Sequence, residues 1–182
     1  MKRLATVAAL VFAFAPDPSL AQGQQPYAGL ETRPIKALSD EQIANLRAGR
    51  GMGLALAAEL NGYPGPAHVV ELADSLGLSE AQRRTAQDLF AAMKAETIPL
   101  GEKLIAQEAE LDRQFAGKTV TEASLTAALQ AIGAAQGSLR AAHLKYHLAT
   151  IQVLTSHQTQ RYNELRGYAG GAQGHDPRGR RH

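Results

Sequence analysis

The chain contains no cysteine. That excludes disulfides, thiolate metal centres and any reaction that needs a thiol. Metal ligands, if the protein uses any, must come from His, Met, Asp, Glu or the backbone. No apolar run is long enough to cross a bilayer: the longest, at residues 4–15, falls short of the roughly 20 residues that a spanning helix needs. Enzyme signatures are missing as well. There is no HExxH, no GxSxG and no glycine-rich phosphate loop, since "GRGMG" at 49–53 follows no strand-like run. A di-iron bundle would need Glu-x-x-His pairs, and His68-Val-Val-Glu71 has the reverse order. Strand runs and βαβ patterns are lacking. No reaction is legible, and the chain reads as non-enzymatic.

What is present begins with Lys2 and Arg3, followed by the apolar run and a small-x-small site at Ser19, Leu20 and Ala21. This is the pattern of a secretory signal peptide, residues 1–21, with an uncleaved amphipathic anchor as the alternative. No cysteine follows, so lipid attachment at a new N-terminal cysteine is excluded. Of 19 basic and 17 acidic residues, the leader carries Lys2, Arg3 and Asp17. The mature chain is therefore close to neutral and offers no electrostatic case for nucleic acid. Arg178, Arg180 and Arg181 cluster behind a glycine-rich stretch, and residues 169–182 read as a disordered tail.

Between these ends the pattern is all-α. Residues 22–38 carry Pro26 and Pro34 without a period and read as an extended lead-in to a helical domain at 39–168. Ser39 with Gln42 forms a capping box, in which the hydroxyl takes an orphan N–H and the amide reaches back. The expected helix runs over 40–60, its middle weakened by Gly49, Gly51 and Gly53, which either permit close helix contact or mark a break. "NGYPGP" at 61–66 stops it, and Pro66 opens a short helix over 67–76. Ser79 and Gln82 in "LSEAQ" cap a long helix over 80–115. Its apolar stripe is Leu89, Met93, Leu100, Leu104, Leu111 and Phe115, and Pro99 predicts a kink. Glu96, Glu102, Glu108, Glu110 and Asp112 read as solvated surface. Thr121 caps a second long helix over 122–153. Its four-three seam is Leu125, Leu129, Ile132, Gln136, Leu139, His143, Tyr146, Thr150 and Val153. Thr155 and Gln158 in "LTSHQ" cap a last helix ending at Arg166 and Gly167. The expected fold is a long antiparallel hairpin with short flanking helices, its open face covered by those helices or by a second subunit.

Within the second long helix, "HLKYH" sets His143 and His147 one turn apart on one face. Two imidazoles at that spacing can reach one ion of the Zn, Ni, Co or Cu type. Two ligands do not complete a site. The antiparallel turn brings 143–147 toward 68–90, which makes His68 and Glu71 the candidates to complete it. Met93 could supply a thioether but sits in a core stripe. His157 belongs to a capping turn, and His175 and His182 lie in the tail. The pair has two other readings: hydrogen-bonded interface histidines, or a patch that responds to acid because close imidazoles oppose joint protonation.

"LSEAQ" and "LTSHQ" resemble the paired LTxxQ motifs of the Spy/CpxP-like periplasmic proteins, with Ser79 replacing the first threonine. The resemblance covers roughly residues 66–168. It implies a hooked helical hairpin in the periplasm that dimerises into a cradle. It also implies one of two roles. The first is a heavy-metal-binding sensor or resistance accessory, acting with a membrane-bound signalling partner. The second is a stress chaperone for unfolded protein clients. In the metal-binding branch, His68 matches a first-helix ligand and His143 with His147 match the late His-x-x-x-(His/Met) pair. The extra helix at 40–60 departs from the family pattern.

Overall fold

The computed structural model describes residues 26–168. The expected signal peptide at 1–21 and the tail at 169–182 lie outside that range. No strand occurs among the described residues. The order is α1 (Asp40–Arg47), α2 (Leu56–Glu59), α3 (Pro66–Glu71), α4 (Glu80–Ala116), α5 (Glu122–Ile151) and α6 (Ser156–Leu165). Helices α1, α2 and α3 pack on a hairpin of two long helices, α4 and α5. The hairpin is antiparallel. Gln82 near the start of α4 donates to the Val153 carbonyl just beyond α5 (2.8 Å), and Tyr146 donates to Glu96 midway (3.0 Å).

The helix starts follow local chemistry. Ser39, Ser79 and Thr155 each accept from the backbone N–H three residues on, and Gln42, Gln82 and Gln158 return the bond. Each such cap contributes about 1 kcal/mol. Thr121 does the same with Ser124. Pro66 opens α3 at its first turn, and Gly167 follows α6 in the left-handed region (φ 74°).

Three expectations change. The described part of the lead-in, 26–38, is not simply extended: Leu30–Thr32 forms a 3-10 turn, and Ile35 and Leu38 are buried. The helix expected over 40–60 is two pieces. Gly49 (φ 64°), Met52 (φ 44°) and Gly53 (φ 84°) all adopt left-handed backbone, which no α-helix accommodates. The glycines do more than weaken a helix; they turn the chain so that it lines a cavity. The α5 seam is also rotated. Leu129 and Gln136 face outward, while Ala135 and Ala142 join Ile132, Leu139, His143, His147 and Thr150 inside. Small residues win those places because they let α4 and α5 approach closely. On its other side α4 meets α1 as closely: a Cβ on Gly101 would lie 2.6 Å from the Leu46 carbonyl oxygen. Helix α4 continues through Pro99 without interruption.

The core has two parts. Ile35, Leu38, Leu46, Leu104, Ile105, Ile132, Ala135 and Leu139 form one cluster along the hairpin. Val69, Ala73, Leu76, Leu78, Ala86 and Tyr162 form a second at its base. Each fully buried leucine or isoleucine contributes about 1.5–3 kcal/mol of apolar transfer. At the base, the glutamines of the two capping boxes meet. Gln82 Nε2 donates to Gln158 Oε1 (2.8 Å) and Gln158 Nε2 donates to Gln82 Oε1 (3.1 Å). The two cap sequences are thus one junction, fixing where α6 starts relative to α4.

Candidate metal centre

Helix α5 presents "HLKYH" so that its residues divide by face. Lys145 and Tyr146 reach across to Glu96 on α4, so Glu96 ties the hairpin together rather than being plain solvated surface. His143 and His147 are buried, at 2% and 7% exposure. Both line a cavity of about 550 Å³ walled by the 48–56 loop, α3, α4 and α5. His68, Glu71 and Met93 line it too. All the ligand candidates named from sequence therefore border one space.

They do not converge on one point. Among the described residues, no three His, Cys, Asp or Glu side chains lie close enough to hold a single metal ion. His68 is engaged on both sides: Nδ1 bonds Glu71 (3.1 Å), and Nε2 faces the Arg166 guanidinium (3.4 Å). Glu71 is largely exposed and serves that histidine. The α5 pair is different. His147 Nδ1 bonds the Tyr63 carbonyl at 2.7 Å. A carbonyl only accepts, so Nδ1 is the donor, and the neutral ring in this tautomer presents its lone pair on Nε2, the form in which imidazole binds metals. His143 Nε2 is buried without a hydrogen-bond partner. Burial, and then the neighbouring His147, hold His143 below the ordinary imidazole range, which favours the neutral ring. The α5 pair fits imidazole ligation; the wider set of His68 and Glu71 is not a preformed cage around it.

Two glycines border the rings, one of them closely. A Cβ on Gly51 would lie 3.6 Å from His143 Nδ1, and one on Gly65 would strike His147 Cε1 at 2.8 Å. The backbone at Gly65 therefore packs directly against the imidazole, and its glycine cannot be replaced without moving the ring.

Beside the histidines lies a carboxylate that sequence reasoning missed. Glu59 is buried and accepts from Tyr162, from Tyr168 (3.2 Å) and from the Gly65 N–H (3.2 Å). Arg166 lies 3.6 Å and His147 Nδ1 3.7 Å away. Burial, followed by Glu59, pushes the Tyr162 hydroxyl well above its ordinary range, so it remains a donor. Glu59 joins α2, α3, α5 and α6 in one network. The cue was a single carboxylate inside the apolar run "LALAAEL", where a charge has to find partners or remain at the surface.

The fold and this cavity define an all-helical hairpin protein with an imidazole-lined pocket at the side of the hairpin. Residues 52–161 match the model of a family described as heavy-metal resistance, and the chain belongs to that family. No curated protein sequence and no solved structure matches it.

Proposed function

We propose that this protein is a periplasmic heavy-metal-binding protein, a sensor or resistance accessory, of the Spy/CpxP-like kind. Membership of the heavy-metal-resistance family supports a metal-related role. The observation that carries the specific reading is the α5 pair: two buried imidazoles one turn apart on one cavity wall, one with its tautomer set so that Nε2 is free. His143 and His147 are the primary ligands. His68 and Glu71 join only if the Arg166 contact to His68 opens on binding. His143 and His147 would hold the ion through imidazole nitrogen. The role is non-enzymatic. A dimer with a membrane-bound partner would be its means of passing on the signal.

The test is calorimetric titration of residues 22–182 with Ni(II), Co(II), Zn(II) and Cu(II), beside His143→Ala/His147→Ala and the single variant His147→Gln. Stoichiometric binding that disappears in the double variant, with the circular dichroism melt retained, is the expected result. Absence of binding by any of the four ions, and by Cu(I) and Ag(I) as well, would remove the reading.

The second reading is a chaperone that cradles unfolded proteins. The exposed Leu56, Leu60, Tyr63 and Leu148 favour it. Under that reading, suppression of client aggregation survives loss of both α5 histidines.

A further inference from the structure

Beyond Met1, the chain has only two methionines, Met52 and Met93. Both line the cavity that holds His143 and His147. Met93 forms buried wall on α4, at 6% exposure, whereas Met52 is exposed at 43%. Met52 is also one of two non-glycine residues among those described with left-handed backbone. It stands between Gly51 and Gly53, and Gly51 borders the His143 ring. A large apolar side chain held in an unfavourable conformation, in a loop that glycines have freed, at the edge of a cavity, calls for a functional reason. Met52 does not belong to either buried apolar cluster, so core packing alone does not account for that conformation.

The oxygen donors around the same cavity are already occupied. Glu59 accepts from two tyrosines and a backbone N–H, and Glu71 holds His68. The cavity also carries Arg50, Lys94 and Arg166 against those two carboxylates. The Lys94 ammonium is fixed 5.8 Å above the Phe90 ring. This surplus of positive charge opposes a divalent cation more than a monovalent one. Thioether sulfur is a soft donor that selects ions such as Cu(I), and imidazole accommodates copper as well. Free soft donors, engaged hard donors and a positive rim agree on one class of ligand.

We propose that the cavity is selective for a soft monovalent d10 ion, Cu(I) or Ag(I), with Met52 and Met93 as thioether ligands beside the α5 histidines. Met93 is the fixed donor in the wall, and Met52 is the mobile donor that closes over the ion from the loop. The proposal rests on the metal-binding reading of the same cavity and names which metals it takes.

The test uses the full mature chain carrying 13C-methyl methionine. It is titrated with Ag(I), with Cu(I) under anaerobic competition against a chromogenic chelator, and with Zn(II) and Ni(II). The expected result is a shift of both methionine methyl signals at one equivalent of Ag(I) and of Cu(I). Met52→Leu and Met93→Leu should each weaken the monovalent ions by about tenfold or more while leaving Zn(II) and Ni(II) unchanged. The methyl signals need no variant, so a misfolded Met93→Leu would not block the answer. Unmoved methyl signals, with Zn(II) or Ni(II) still bound through the histidines, would overturn the thioether proposal and leave the histidine reading standing. No binding of any of these ions would overturn both.

Discussion

The middle of the hairpin and its base are held by different physics. In the middle, Leu46, Leu104, Ile105, Ile132 and Leu139 exclude water with no polar group among them. At the base, the second apolar cluster is interleaved with directional bonds: Tyr162 on Glu59, and Gln82 on Gln158. An apolar cluster tolerates a change of shape but resists a change of volume. A polar network tolerates neither a lost partner nor a shifted one, because each buried group left alone bears its full desolvation cost. The cavity borders the polar end. There Glu59 and the Gly65 N–H fix the positions of the groups around the space by directional bonds.

The largest effect should come from Glu59. Glu59→Ala leaves Tyr162, Tyr168 and the Gly65 N–H without their acceptor and Arg166 without its counter-charge. We expect a loss of about 3–5 kcal/mol in urea unfolding. Glu59→Gln should cost less, since the amide oxygen still accepts. A loss below about 1 kcal/mol for the alanine variant would mean that the base is held by its apolar cluster after all.

Gly101→Ala should come next and probes the other region. Its methyl would meet the Leu46 carbonyl at 2.6 Å, forcing α1 away from α4 at a cost of about 1–3 kcal/mol. Because Leu46 belongs to the apolar cluster, the damage should be a lowered melting temperature with the cavity unchanged. Metal titration on the same variant checks that. Impaired binding would show that the two regions are coupled rather than separate.

The smallest effect is expected at the junction of the capping boxes. Gln82→Ala and Gln158→Ala should each cost about 1–2 kcal/mol, combining a lost cap bond and a lost cross-helix bond. The double variant should lose less than the sum, with a coupling of about 0.5–1 kcal/mol in a double-mutant cycle. Strict additivity would mean that the two glutamines act only as separate caps.

Much of this could be read along the chain. Capping boxes involve a side chain and a backbone group three residues apart, so Ser39, Ser79 and Thr155 announce their helices without any tertiary context. Pro66 and Gly167 mark their boundaries for similar reasons. Periodicity gave the two long helices. It failed on detail at Leu129 and Gln136, because spacing rewards large residues, while a close helix crossing selects alanine and glycine. The histidine pair was legible because a spacing of four fixes a shared face on any helix. Glu59 was not, since its meaning depends on Tyr162, Tyr168 and Arg166, more than a hundred residues away.

The sequence by itself determined that the protein is helical, where its long helices begin, and that His143 and His147 share a face. Those are consequences of local bonding and of 3.6 residues per turn. Only the tertiary structure decided that the 48–55 stretch leaves the helix to wall a cavity, and that His68 is taken up by Glu71 and Arg166. It alone placed Met52 and Met93 around the same space as the α5 imidazoles. Those outcomes depend on which surfaces meet when the hairpin closes, and no periodicity along a single chain encodes them.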